Sequence, residues 1–258
     1  MKIFMVFCFL FVNFTPHLLS ETSQHTSPKQ VAIVIDDFGN DMKGTEEILS
    51  LPIPLTVAVM PFMSTTKKDA EIAHQKGHEV ILHLPMEPLH GKKSWLGPGA
   101  ITSDLSNEEV RERVTKAIED VPHAVGMNNH MGSKITADPR IMRIILEVCQ
   151  EKGLYYLDSK TTGKSVVEKL ATELGVPYLE NEMFFDEQYT INHIVRQANI
   201  LLNRIENDTE IIAIGHVGIA GEKTASVLKQ YVPKVLEKAK PVTLSELFIH
   251  PEDVTNFQ

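Results

Sequence analysis

The sequence predicts an α/β fold, a (β/α) barrel of about seven or eight strands, and three observations carry that expectation. Short β-branched runs alternate with longer amphipathic stretches from residue 31 onward, and near-continuous apolar strands of this kind are covered by helices. Seven or eight such units in about 220 residues suit a barrel better than an open sheet. The apolar runs also end repeatedly on an acid, an amide or an imidazole, as strands do at the C-terminal rim of a parallel barrel.

Taken in order, the chain opens with Lys2 and an apolar run that stops at Asn13. That is the layout of a secretory signal, placed at residues 1–20. A run of about a dozen residues falls short of the roughly 20 that a spanning helix requires. The expectation is therefore an exported protein, periplasmic or extracellular and associated with the cell envelope. Residues 21–30 are polar and contain Pro28, which reads as a linker. The barrel domain is expected over 31–250, and residues 251–258 form a tail.

Strands are expected at 31–36, 55–60, 79–84, 124–128, 154–158, 211–215 and, on the shortest run, 242–244. Ser106 and Glu109 form a capping box, and Asp138 with Pro139 supplies an N-cap and a proline at N1, so a helix starts at each. After Asp138, the residues Ile141, Ile144, Ile145, Val148 and Cys149 recur at helical spacing, which turns Cys149 toward the core. Residues 85–103 are rich in Gly and Pro and carry the one tryptophan, Trp95. Long loops of this composition cover a site or a ligand.

Composition narrows the function classes. The chain has 25 basic and 34 acidic residues, a formal charge of −9, and Lys2 is the one charged residue in the signal. No nucleic acid partner is expected, because such binding rests on basic patches that neutralise phosphates. An anionic membrane surface is disfavoured for the same reason. Of the two cysteines, Cys8 belongs to the signal's apolar run, which leaves Cys149 without a disulfide partner.

The chemistry collects at strand ends: Asp36-Asp37, His83, Asn128-Asn129-His130, Asp158 and His216. In a parallel barrel these ends meet on one face. Adjacent carboxylates leaving a buried strand repel one another unless a cation or a proton lies between them. Because neighbouring strand residues face opposite ways, Asp36 and Asp37 are expected to act together only where the strand has ended. His83 and Glu87 lie four apart around Pro85, a loop ligand pair whose donors suit zinc and other first-row divalent ions. Taken singly, each residue also fits a turn or a buried structural role. His78, at the start of its strand, reads as structural, and His25, His74, His90, His123, His193 and His250 read as surface.

Several segments in sequence order resemble the divergent polysaccharide deacetylase family: 34–39 (VIDDFG), 77–88 (GHEVILHLPMEP), 128–133 (NNHMGS), 157–162 (LDSKTT) and 214–216 (IGH). The resemblance runs from about residue 31 to 245. Through the similar, larger polysaccharide deacetylases it implies an irregular (β/α) barrel and a metal-dependent hydrolysis of N-acetyl groups on sugars. It implies Asp36 as general base, Asp37 and His83 as metal ligands, and His216 as general acid. His130 or Glu87 is implied as the third ligand, Asp158 as an orienting group, and Asn129 as a contributor to oxyanion stabilisation. Zinc is the expected metal, and a polysaccharide or peptidoglycan the expected substrate, with Trp95 a stacking surface for sugar. Two departures stand out. Glu87 occupies the position of a second histidine in the larger family, and the Asn128-Asn129-His130 segment replaces that family's Arg-Pro-Pro-Tyr-Gly. They motivate a rival expectation, a glycan-binding or wall-assembly protein that keeps the fold and the metal without turnover.

Overall fold

The structure, a computed structural model, describes residues 28–249. The signal, the tail and residues 21–27 of the linker lie outside them. The chain runs β1 (Gln30–Phe38), α1 (Thr45–Ile48), β2 (Thr56–Val59), α2 (Thr66–Gln75), β3 (Glu79–Met86), α3 (Asn107–Asp120), β4 (Ala124–Met131), α4 (Pro139–Lys152), β5 (Tyr155–Asp158) and α5 (Val167–Leu174). It continues through β6 (Tyr178–Glu180), β7 (Met183–Phe184), α6 (Ile191–Arg204), β8 (Glu210–His216), α7 (Gly221–Leu236) and β9 (Lys240–Val242). Six of the seven expected strands form where expected, the seventh lies at Lys240–Val242 instead of 242–244, and both marked helix starts hold: the Ser106–Glu109 capping box is made in both directions, and Asp138 accepts from the N–H groups of Arg140 and Ile141.

All the pairings are parallel, and the strands lie in the order β6-β5-β4-β3-β2-β1-β8-β7. The three residues of β9 pair with Gln30, Val31 and Ala32 at the start of β1. The expected irregular barrel is thus a curled parallel sheet. Its two end strands, β6 and β7, are separated by two residues of chain, Asn181 and Glu182. The Asn181 N–H bonds to Asp158 O in β5, and the Glu182 N–H bonds to Ile212 O in β8. The sheet is closed by a crossing of the chain instead of a ladder. Neither β6 nor β7 was expected, because strands of three and two residues carry no apolar run.

Strand alternation sorts the core into two layers. Val31, Ile33 and Ile35 of β1, Leu82 and Leu84 of β3, Met127 of β4 and Tyr156 of β5 pack outward against the helices. Ala32, Val34, Ala58, Ile81, Leu157 and Ile214 fill the interior, with Leu244 and Leu247 among them. Cys149 is fully buried on α4, and burial pushes its thiol far above the ordinary range, which leaves it unreactive.

Candidate functional site

The inward parity of each strand, extended to its C-terminal end, delivers the site. Asp36 continues Ala32 and Val34, His83 continues Ile81, and His216 continues Ile212 and Ile214. Asn128 and His130 share the parity opposite to Met127. Asp36 and His216 are register partners across β1 and β8, as are His83 and Asn128 across β3 and β4. Asp37 has the outward parity, and it reaches the site by a different route. The β1–β2 register slips between Ile35 and Phe38, and Asp37 adopts a left-handed φ of 71°. A bulge of this kind re-aims a side chain. The two carboxylates act on one face while the strand continues to Phe38, so the expectation that the strand must first have ended is corrected.

Three donor atoms converge. Asp37 Oδ1 lies 2.9 Å from His130 Nδ1 and 3.2 Å from His83 Nε2, and those two nitrogens are 3.2 Å apart. The partners of the opposite ring nitrogens assign the tautomers. His83 Nδ1 faces Asn128 Oδ1 at 2.7 Å, and His130 Nε2 faces the Trp95 carbonyl at 3.1 Å. Both oxygens only accept, so the protons sit there, and the converging nitrogens present lone pairs. Asp37 Oδ1 itself is buried and makes no hydrogen bond. Lone pairs at this spacing repel unless a cation lies among them. Bonds of about 2.0–2.1 Å, as in zinc sites, put donors roughly 3 to 3.4 Å apart. Among the described residues, Asp37, His83 and His130 form the one group of this kind. Of the two alternatives for a third ligand, His130 is the one the geometry brings in.

Acid and base candidates flank this group. Asp36 is 2% exposed and accepts from Asn128 Nδ2 at 2.9 Å. Burial raises its carboxyl above the usual range, against the pull of His83 and His216. For His216 burial alone would lower the ring, yet the bond and charge of Asp186, with Asp37 and Asp36 nearby, raise it to about 9. Asp186 Oδ1 lies 2.7 Å from His216 Nδ1, while its Oδ2 accepts from the His216 N–H at 2.8 Å and from Thr224 Oγ1 at 2.7 Å. Asp186 is 1% exposed. Sequence reasoning missed it, although it closes the short Met183–Phe184 strand just as the other acids close longer ones.

Other expected site residues fall elsewhere. Glu87 lies outside the converging donor group: Oε1 accepts from Lys134 Nζ and Oε2 from both the N–H and Oγ of Ser103, each at 2.8 Å. It ties together the ends of the Gly/Pro-rich loop. Asn129 has the outward parity, with Oδ1 accepting from the Ser159 N–H and the Tyr156 hydroxyl and one Nδ2 hydrogen donated to Met131 O. Asp158 shares the parity of Tyr156 and turns away from the cluster, accepting instead from the Lys160 N–H at 2.8 Å. Trp95 is 58% exposed and is linked to the site through its carbonyl. His78 is buried against Leu49 O, as expected of a structural residue. His193, expected at the surface, is buried on α6.

The model of the family described as divergent polysaccharide deacetylase matches residues 33–248. An uncharacterized protein of Haemophilus influenzae is 36% identical over 195 residues, 76% of this chain and 69% of that one. The fold is similar to the crystal structure of an uncharacterized protein from Agrobacterium tumefaciens C58, with a TM-score of 0.78 at 18% identity, covering 86% of this chain and 89% of that one. It is also similar to the Bc1960 peptidoglycan N-acetylglucosamine deacetylase, with a TM-score of 0.52 at 17% identity, covering 85% and 88%. A family match across most of the length, joined to a relative of that identity, fixes the placement: the chain belongs to the divergent polysaccharide deacetylase family.

Proposed function

We propose that the protein is a zinc-dependent carbohydrate deacetylase that removes acetyl groups from an N-acetylated cell-wall glycan such as peptidoglycan. The observation that carries this reading is one group of two imidazoles and a carboxylate, with a buried carboxylate and a charged imidazole beside it. A divalent ion held by Asp37, His83 and His130 supplies Lewis acidity toward a carbonyl and acidifies water. Asp36 takes the proton of the attacking water. His216, protonated below about pH 9 and held through Nδ1 by Asp186, gives a proton from Nε2 to the departing amine. Backbone N–H groups at the rim serve the oxyanion.

The rim supports a sugar polymer as substrate. Exposed Phe62, Leu89, Trp95, Tyr189 and Ile219 stand on the loops after β2, β3, β7 and β8. Aromatic faces among them offer stacking surfaces, and Lys92 Nζ lies 5.7 Å from the Trp95 ring centre. An envelope location is supported by the apolar N-terminal run.

The test combines elemental analysis with acetate release from N-acetylglucosamine oligomers and peptidoglycan fragments, using Asp36→Asn as the control. Stoichiometric zinc, with acetate release that the control loses, is the expected outcome. Asp37→Ala and His83→Ala should abolish zinc retention, and full occupancy in either would overturn the ligand assignment. Zinc without acetate release from any glycan would favour the binding or wall-assembly role.

A further inference from the structure

Asn128 stands between the two halves of the site. It is fully buried, with Oδ1 2.7 Å from His83 Nδ1 and Nδ2 2.9 Å from Asp36 Oδ1. The orientation of its amide is fixed by chemistry. Rotating it would aim the amide oxygen at the buried Asp36 carboxylate, two acceptors face to face, so Nδ2 must point to Asp36 and Oδ1 to His83. That orientation in turn obliges His83 to carry its proton on Nδ1 and frees Nε2 as a donor to metal. The two aromatic and acidic partners are 3.7 Å apart, too far for a hydrogen bond of their own, so the amide is the link between them.

We infer that Asn128 is a positioning residue with two duties, setting the tautomer of the ligand His83 and aiming the carboxylate of Asp36, so that metal retention and proton abstraction are coupled through one amide. The second duty rests on the deacetylase reading, and the first does not. Replacing the amide by a carboxylate separates them. In Asn128→Asp the new side chain still accepts from His83 Nδ1–H, while it opposes Asp36 with an oxygen where an N–H had been.

The experiment measures zinc affinity by chelator competition, and kcat and KM for acetate release, on the full chain and on Asn128→Asp and Asn128→Ala. Asn128→Ala should weaken zinc binding about ten- to hundredfold, the usual cost of losing a partner behind a ligand. Asn128→Asp should keep zinc affinity at or above that of the parent and lose kcat at unchanged KM. Wild-type zinc affinity in the alanine variant would overturn the first duty, and wild-type kcat in the aspartate variant the second. A parent chain that binds zinc and releases no acetate overturns the deacetylase reading instead, and the zinc measurements then judge Asn128 alone. Should the variants fail to fold, nitrogen NMR of the histidine-labelled, metal-free parent decides: His83 protonated at Nδ1 supports the inference, and protonation at Nε2 overturns it.

Discussion

At His216 two oxygens of one buried carboxylate hold both the ring and its backbone N–H, and the ring titrates near 9 in consequence. A general acid works only while protonated, so kcat/KM should persist up to about pH 9 and then fall. In Asp186→Asn that alkaline limb should move down toward the ordinary histidine value of about 6.5, costing on the order of tenfold or more at pH 8 with little change at pH 6. A pH–rate profile of the two proteins checks it. The same shift links pH to stability. The pair's contribution is complete below the unfolded pKa and is lost as pH rises through about 9. At this scale the sequence was half legible. Asp36, Asp37, His83, His130 and His216 announce themselves as polar residues at the ends of apolar runs. Chemical type alone does not separate Asn128 from Asn129 or Asp158 from Asp186; strand parity is needed as well. Counting by twos from Met127 and from Tyr156 turns Asn129 and Asp158 outward, away from the cluster.

Among the elements, β1 and the loop after β3 do the most to shape the site. The bulge at Asp37 is invisible to composition, since nothing in VIDDFG marks which residue takes the left-handed conformation. The loop was recognised from its Gly, Pro and Trp content, but its anchoring was not, because Glu87 looked like a ligand. Its real partners, Ser103 and Lys134, lie 16 and 47 residues away. Glu87→Ala should therefore retain one equivalent of zinc while loosening residues 87–103, seen as faster proteolysis there and a changed Trp95 emission. Loss of zinc from that variant, with His130 intact, would contradict the anchoring role. Because His130 bonds to the Trp95 carbonyl, zinc binding to the parent should also alter the emission of this lone tryptophan.

For the molecule as a whole, the alternating runs make the barrel legible, and the place where it closes is not, because β6 and β7 carry no apolar run. The interior is filled from the end opposite the site by Val242, Leu244 and Leu247, which follow the last long helix. Leu244→Ala should cost about 2–5 kcal/mol in urea unfolding and leave zinc stoichiometry unchanged, since stability and chemistry occupy opposite ends of the sheet. The crossing at Asn181 and Glu182 has a mechanical consequence. Elsewhere the sheet resists widening through rows of bonds that must break together, whereas here a single residue holds each side, Asn181 to Asp158 and Ser159 and Glu182 to Ile212. Breathing of the girth should concentrate at this seam. In a hydrogen-exchange experiment its two amides would be the first of the sheet to lose protection, and a longer insertion there would be the mildest way to let the pocket accept a bulkier chain.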